Sequence, residues 1–292
     1  MGHDEGLRID LRYSYAKADT PRVGAKKVAK SLAGDPNLAG IEVENLRTIN
    51  QTLNMDLDYA INTQWGVALD LPLVMRDHAH QIGDPNPALV TTEQKKFSQL
   101  GDARVVGHYK LADSDAHSGT GLRAGLKLPT GQTTQEMVPG TLMEAGLQPG
   151  SGSTDVVLGA YHYQSVSQAW GWFTSAQLQT AIALKNDYRP GDDLAVDVGT
   201  RYALSPRVTG LLQLNAQYKK ADSGTALNVN PHTGGRSLNL SPGVSMAMAR
   251  QTNVYGFLQL PIYQYANPDP NGTPYGQLTA PWSFSVGVSH SY

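Results

Sequence analysis

Charged side chains set at every second position are the first residues of this 292-residue chain whose types and spacing allow chemistry. Arg8, Asp10 and Arg12 alternate with Leu7, Ile9 and Leu11, and Asn54, Asp56 and Asp58 alternate with Leu53, Met55 and Leu57. Runs of the same kind carry Asp70, then Arg104, His108 and Lys110, then Arg123 and Lys127. Gln177, Asp197, Arg201, Gln213 and Asn215 complete the set. A spacing of two puts such side chains on one face of an extended chain. Gathered inside a closed wall, charges of both signs on different sectors would set up a field that selects polar or zwitterionic solutes and orients their dipoles. The bland alternative is that they pair across adjacent strands and fill a narrow interior. The sequence leaves both open.

Two other constellations have residue types suited to chemistry. His78 and His80 flank Ala79, with Asp77 and Asp84 nearby, in a stretch that reads as a loop. Histidines at i and i+2 share a face in extended chain and suit a divalent metal. Without a third ligand of known position they are weak metal candidates, and no cofactor is expected. His290 stands between Ser289 and Ser291, and His162 lies in a strand. Strand neighbours point to opposite faces, so Ser289 and His290 cannot meet as nucleophile and base. No Gly-x-Ser-x-Gly elbow, P-loop, dinucleotide fingerprint or His-Glu-x-x-His occurs. The chain does not read as an enzyme.

The elements that must position these residues are strands. Leu7 to Tyr15, about Leu46 to Ile61, Trp65 to Leu73, Ala103 to Leu111, Gly121 to Leu128 and Asp155 to Val166 form the first six. Trp170 to Leu184, Leu194 to Leu204, Val208 to Tyr218, Leu238 to Met248, Val254 to Tyr265 and Leu278 to Tyr292 form the rest. The sixth is ambiguous in phase, since Val156 and Leu158 compete with Val157, Tyr161 and Tyr163 for the apolar face. Connections alternate in length. The short ones are Asn62–Gln64, Asp113–Thr120, Ser167–Ala169, Ser205–Arg207 and Arg250–Thr252. Ala18–Val43, Asp77–Asp102, Pro129–Thr154, Asn186–Asp193, Lys219–Ser237 and Ala266–Gln277 are longer and rich in Pro, Gly, Asn and Asp. Lys and Ala content predicts a helical turn around Val23 to Leu32 in the first of these.

This plan predicts an all-β, antiparallel transmembrane β-barrel of about twelve strands, with short periplasmic turns, long extracellular loops and both termini on the short-turn side. No composition break divides residues 1–292, so one barrel domain is expected. A soluble sandwich also alternates, but strands of about 5–6 residues are its norm, and these are longer. Apolar faces of twelve strands would also overfill one interior. Tyr13, Tyr15, Tyr59, Trp65, Trp170, Trp172, Tyr218, Trp282 and Tyr292 fall near stripe ends, where membrane girdles sit. No run of about 18 apolar residues exists for a membrane helix. Cysteine is absent, which excludes disulfides and Cys-based zinc sites. A net charge of −2 without a basic stripe excludes nucleic acid as a partner. Met1 to Glu5 lacks a signal-peptide pattern, so the export signal is taken as already removed.

Gly125-Leu126-Lys127-Leu128-Pro129-Thr130-Gly131, with Leu147-Gln148-Pro149-Gly150-Ser151-Gly152-Ser153-Thr154-Asp155, resembles the paired signatures of the outer-membrane family named for the MetA pathway of phenol degradation. The ending Val288-Ser289-His290-Ser291-Tyr292 resembles the terminal strand by which barrels are recognised for assembly. The resemblance implies a bacterial outer-membrane channel or transporter for small, often aromatic, solutes, with membrane lipids as its surroundings and oligomeric state open. The alternative is a non-transporting barrel acting as a metal-binding, adhesion or scaffold protein. Between the two signatures lies Gln132 to Pro149, whose Met137, Val138, Leu142, Met143 and Leu147 are unusually apolar for an exposed loop. Such a loop either folds into the barrel mouth and constricts it or packs on its neighbours.

Overall fold

The computed structural model describes residues 6–28, 43–82, 86–111, 114–115, 117–185, 187–226, 228–230, 232–269 and 276–292. Alternation of polar and apolar residues produces twelve barrel strands: β1 (Gly6–Ala18), β2 (Val43–Ala60), β3 (Trp65–Ile82), β4 in two pieces (Thr91–Leu100 and Arg104–Lys110), β5 (Ser118–Lys127) and β6 (Ser153–Ser165). The others are β7 (Trp170–Leu184), β8 (Asp193–Ala203), β9 (Val208–Lys219), β10 (Gly235–Ala249), β11 (Thr252–Ala266) and β12 (Ser283–Ser291). Each pairs antiparallel with its neighbours in sequence, and β1 pairs with both β2 and β12, which closes the ring. Closure leaves no barrel edge to exchange hydrogen bonds with water.

Burial is inverted relative to a soluble protein. Leu11, Val67, Leu122, Leu158, Val198, Leu214, Val244 and Val286 are exposed, whereas Asp10, Lys127, Ser153, Asp155 and Ser241 are buried. So continuous an apolar exterior is stable only against hydrocarbon. From Leu7 to Tyr15, at ~3.3 Å per residue and a tilt of ~40°, β1 climbs roughly 20 Å. That approaches the ~25 Å apolar band of such barrels. Aromatic rings mark both rims. Trp65 and Tyr109 lie 4.5 Å apart at the short-turn end, and Tyr15 stacks on Trp282 at 5.8 Å near the other.

Four local expectations are corrected. The stretch 77–102 is not one long loop: β3 runs on to Ile82, and Thr91–Leu100 pairs beside it. On the outer face here Leu69, Leu71 and Leu73 give way to Asp77, which pairs with Arg47 at 3.3 Å and Lys96 at 3.4 Å. The hairpin therefore continues beyond the apolar band, where the alternation that signals a strand no longer exists. His78 and His80 accordingly sit on β3, not in a loop. The last strand begins at Ser283 rather than Leu278, because Pro281 cannot donate to a ladder. Gln277–Thr279 pairs instead with Thr20–Val23, which pairs with Lys26–Lys27. The segment expected to hold a helical turn is thus extended over its described part, up to Val28; residues 29–32 lie outside the described residues. In β6 the phase resolves with Leu158 exposed and Val157 buried.

Candidate functional site

The two glycine-flanked signatures build a polar node in the wall. At the break in β4, Asp102 turns inward and accepts hydrogen bonds from the backbone N–H of Gly131 (3.0 Å) and Ser151 (2.8 Å) and from Ser151 Oγ (2.6 Å). Lys127, at the end of β5, places Nζ 3.3 Å from Asp102 and 3.0 Å from Asp155. It also donates to Ser151 Oγ and Ser153 Oγ. Asp155 accepts further from Ser153 Oγ and from Gln179 Nε2, each at 2.6 Å. Lys127 is 5% exposed and Asp155 1%, so one buried cation is shared by two buried carboxylates. Backbone and hydroxyl donors satisfy the surplus negative charge, as a low-dielectric site requires. Thr130 ties the node to the break, accepting from Ala103 N–H at 2.8 Å and donating to the Gly101 carbonyl at 3.0 Å.

The loop between the signatures folds on itself and inward. Gln148 binds the Gln135 N–H and carbonyl and the Met143 carbonyl, while Met137 and Met143 are buried. Ala145, Gly146 and Gln148 to Ser151 line one cavity of about 840 Å³ together with wall residues from β1 to β5, β7 and β9 to β12. Arg76 of β3 donates to the Gly146 carbonyl at 3.4 Å. On the far side, Ala145 N–H donates to the Asn228 carbonyl at 2.8 Å, and Asn228 Nδ2 to the Met143 carbonyl at 2.9 Å. The loop therefore both packs on a neighbouring loop and forms part of the cavity wall. That neighbouring loop is itself anchored by Asp222, which accepts from Tyr188 Oη at 2.9 Å and Gly191 N–H at 2.8 Å. Burial, then the adjacent Asp222 carboxylate, raises the Tyr188 phenol above its usual range.

Of the residues singled out by their spacing, Arg12, Asn54, Asp70, Arg104, Lys127, Gln213 and Asn215 line this cavity. The ladder puts Arg8, Asp10, Asp56, Asp58, His108, Lys110 and Arg123 on the same face nearer the short turns. There Asp58 accepts from His108 at 2.9 Å, Asp10 from Tyr255 Oη at 2.7 Å, and Arg123 lies 4.8 Å over the Tyr161 ring. Gln177 and Asp197 stand on β7 and β8 away from the cavity; Asp197 accepts from Asn215 at 2.7 Å and Ser175 at 3.2 Å. Arg201 donates to Ser165 Oγ at 2.7 Å near a short turn.

His78, 2% exposed, is hydrogen-bonded to Thr48 at 2.9 Å, and His80 to Glu93 at 3.0 Å. Among the described residues no group of three metal-ligating side chains forms. His290 bonds Thr252 Oγ1 at 2.8 Å, apart from Ser289, whose ladder partners are Asp10 and Asn253.

Arg76, Asp102, Tyr255 and Phe257 also line the cavity and were not singled out by spacing. Asp102 closed the stretch read as a loop, and Arg76 fell between the third strand and that loop. The two rings face inward because glycines make room: a Cβ at Gly287 would stand 2.5 Å from the Tyr255 ring, and one at Gly243 2.3 Å from Phe257. Each ring lies flat along the wall instead of projecting across the cavity.

A closed antiparallel ring with an apolar exterior and a polar interior defines a bacterial outer-membrane β-barrel. No family model and no curated protein matches the chain. Among solved structures it is similar to the COG4313 outer membrane channel from Pseudomonas putida F1, at TM-score 0.66 and 12% identity, covering 99% of this chain and 97% of that one. The toluene transporter TbuX of Ralstonia pickettii (TM-score 0.46, 9% identity, 99% and 90% covered) and the CymD monoaromatic hydrocarbon channel (0.44, 12%, 99% and 89%) share only the general barrel plan.

Proposed function

We propose that the protein is a channel for small solutes across the outer membrane, of the kind named for the MetA pathway of phenol degradation. The observation that carries this reading is the cavity of about 840 Å³ beneath the loop, lined by polar side chains from the surrounding wall. A barrel serving only as a scaffold has no need to keep such a volume clear, since crossing side chains would fill it. Support for the family comes from the signatures: their Lys, Asp, Ser and Gly residues build the node that anchors the capping loop. The solved channel with the same overall plan supports the transport role. On this reading Arg8, Asp10, Arg12, Asp56, Asp58, Asp70, Arg104, His108, Lys110, Arg123 and their neutral neighbours line the path, and the loop from Gln132 to Pro149 sets its upper constriction.

Planar-bilayer recording of the purified full chain tests the reading. Discrete conductance steps from a protein that also shows heat-modifiable gel migration are expected. A correctly folded protein that inserts and passes no current would refute a channel.

A further inference from the structure

On the long-loop rim, Lys17 pairs with Asp19, Arg47 and Lys96 with Asp77, and Lys220 with Asp192. Arg236 is different. It stands exposed at the start of β10, and among the described residues it makes no ion pair and no hydrogen bond. Its guanidinium lies 4.5 Å over the Tyr265 ring. Stacking occupies the flat face of the group and leaves its N–H edge open to an acceptor. Tyr218 and Tyr265 flank Arg236 in the ladder, and Leu238, two positions further along β10, is paired with Tyr263. Tyr218 and Tyr263 are exposed on the outside of the wall. Arg236 therefore sits one step, roughly 7 Å, above the last apolar outward position of its strand.

Two lysines follow a turn that rests on the same ring. Thr20–Val23 and Lys26–Lys27 form a hairpin, and its turn residue Gly24 exchanges hydrogen bonds with Ala266 at 2.9 and 3.0 Å. A Cβ at Gly24 would stand 3.4 Å from the Tyr265 ring. Lys26 and Lys27 are both exposed, and among the described residues neither forms an ion pair. Three cations without a counter-charge thus border one tyrosine, directly above an apolar strip that faces lipid. Long loops lie outside the cell, so the leaflet concerned is the outer one. Guanidinium and ammonium groups at headgroup height suit phosphate oxygens, and the strip below them suits an acyl chain. We infer that this corner of the rim binds a phosphorylated glycolipid of the outer leaflet. Its phosphate is held by Arg236, Lys26 and Lys27, and an acyl chain lies along Leu238 and Leu240. The site is independent of whether the barrel conducts.

Titration of the refolded full chain in zwitterionic micelles with diphosphoryl lipid A tests it, read by native mass spectrometry as lipid bound per barrel. K26Q/K27Q/R236Q should weaken binding roughly a hundredfold, from about fivefold for each basic side chain near an anionic headgroup. K17Q/R47Q/K96Q removes as many charges from the same rim, but ones already held by carboxylates, and should change binding by less than about twofold at physiological salt. Heat-modifiable migration of both variants shows that each barrel has folded. Equal losses in the two variants would mean attraction to the rim as a whole and overturn the site. So would wild-type binding that survives in K26Q/K27Q/R236Q, or equal binding of a fully dephosphorylated lipid A. Inorganic pyrophosphate should compete only weakly, because it has no acyl chain to place. Competition by pyrophosphate at the concentration of the lipid would assign the cations to a free phosphate and overturn the lipid assignment.

Discussion

At the scale of single residues, the strongest demand in the molecule is on Lys127. Its ammonium stands between two carboxylates that have almost no access to water. Lys127→Met leaves Asp102 and Asp155 buried, close together and without a cation. Breaking such a group by removing one partner costs about 3–5 kcal/mol, so the denaturant midpoint of the refolded barrel should fall clearly. An unchanged midpoint would mean that the node is solvated. Gly287 is the second such position. Gly287→Ala would drive the Tyr255 ring off the wall and into the cavity, and single-channel conductance should drop. Adding Tyr255→Ala to that variant should restore it, which separates displacement of the ring from general damage to the strand. The sequence made Gly287 visible as a member of the polar face of the last strand, but not its purpose. Inward Tyr255 and Phe257 run against polar-inside alternation, and only the glycine opposite each ring explains how they fit.

At the scale of elements, strand existence was legible wherever lipid touches one face, because hydrocarbon on one side and water on the other enforce period two. β1, β2 and β7 are examples. Legibility ended where the lipid ends. The upper half of β3 and the first piece of β4 have polar residues on both faces, so they resembled a loop, and His78 and His80 were misplaced with them. The apolar loop between the signatures was legible in composition alone, since Met137 and Met143 needed burial somewhere. Which surface buried them depended on Gln148, Asn228 and Arg76, contacts that no local pattern encodes. Replacing Met137–Gly146 by a short Gly-Ser link removes the part of the loop that enters the cavity while keeping the node. Conductance is expected to rise with the heat-modifiable shift retained. A conductance equal to that of the intact protein would place the narrowest point lower, among Asp58, His108, Arg123 and Tyr161.

At the scale of the whole molecule, the barrel is divided into a band that needs hydrocarbon and a crown that needs water, and the division does not follow strand ends. Leu158 is exposed midway along β6, facing outward between Ala124 and Leu178. Gln94 is exposed on the same outer surface, but on the projecting hairpin, where it donates to Asp77 at 2.6 Å. If the apolar exterior meets lipid, an arginine at Leu158 must bring its charge to the bilayer interior. That costs about 2–4 kcal/mol at the midplane and almost nothing beyond the interface. Leu158→Arg should therefore lower the stability of the barrel in liposomes by that amount, whereas Gln94→Arg should leave it within measurement error. The contrast should collapse in detergent micelles, whose thinner and more deformable apolar layer lets a long side chain reach water. Equal effects of the two substitutions in liposomes would mean that the hairpin lies in the membrane and that the boundary drawn at Asp77 is wrong. A loss confined to Leu158→Arg would fix the height of the bilayer on the wall, and with it the depth at which the cavity sits.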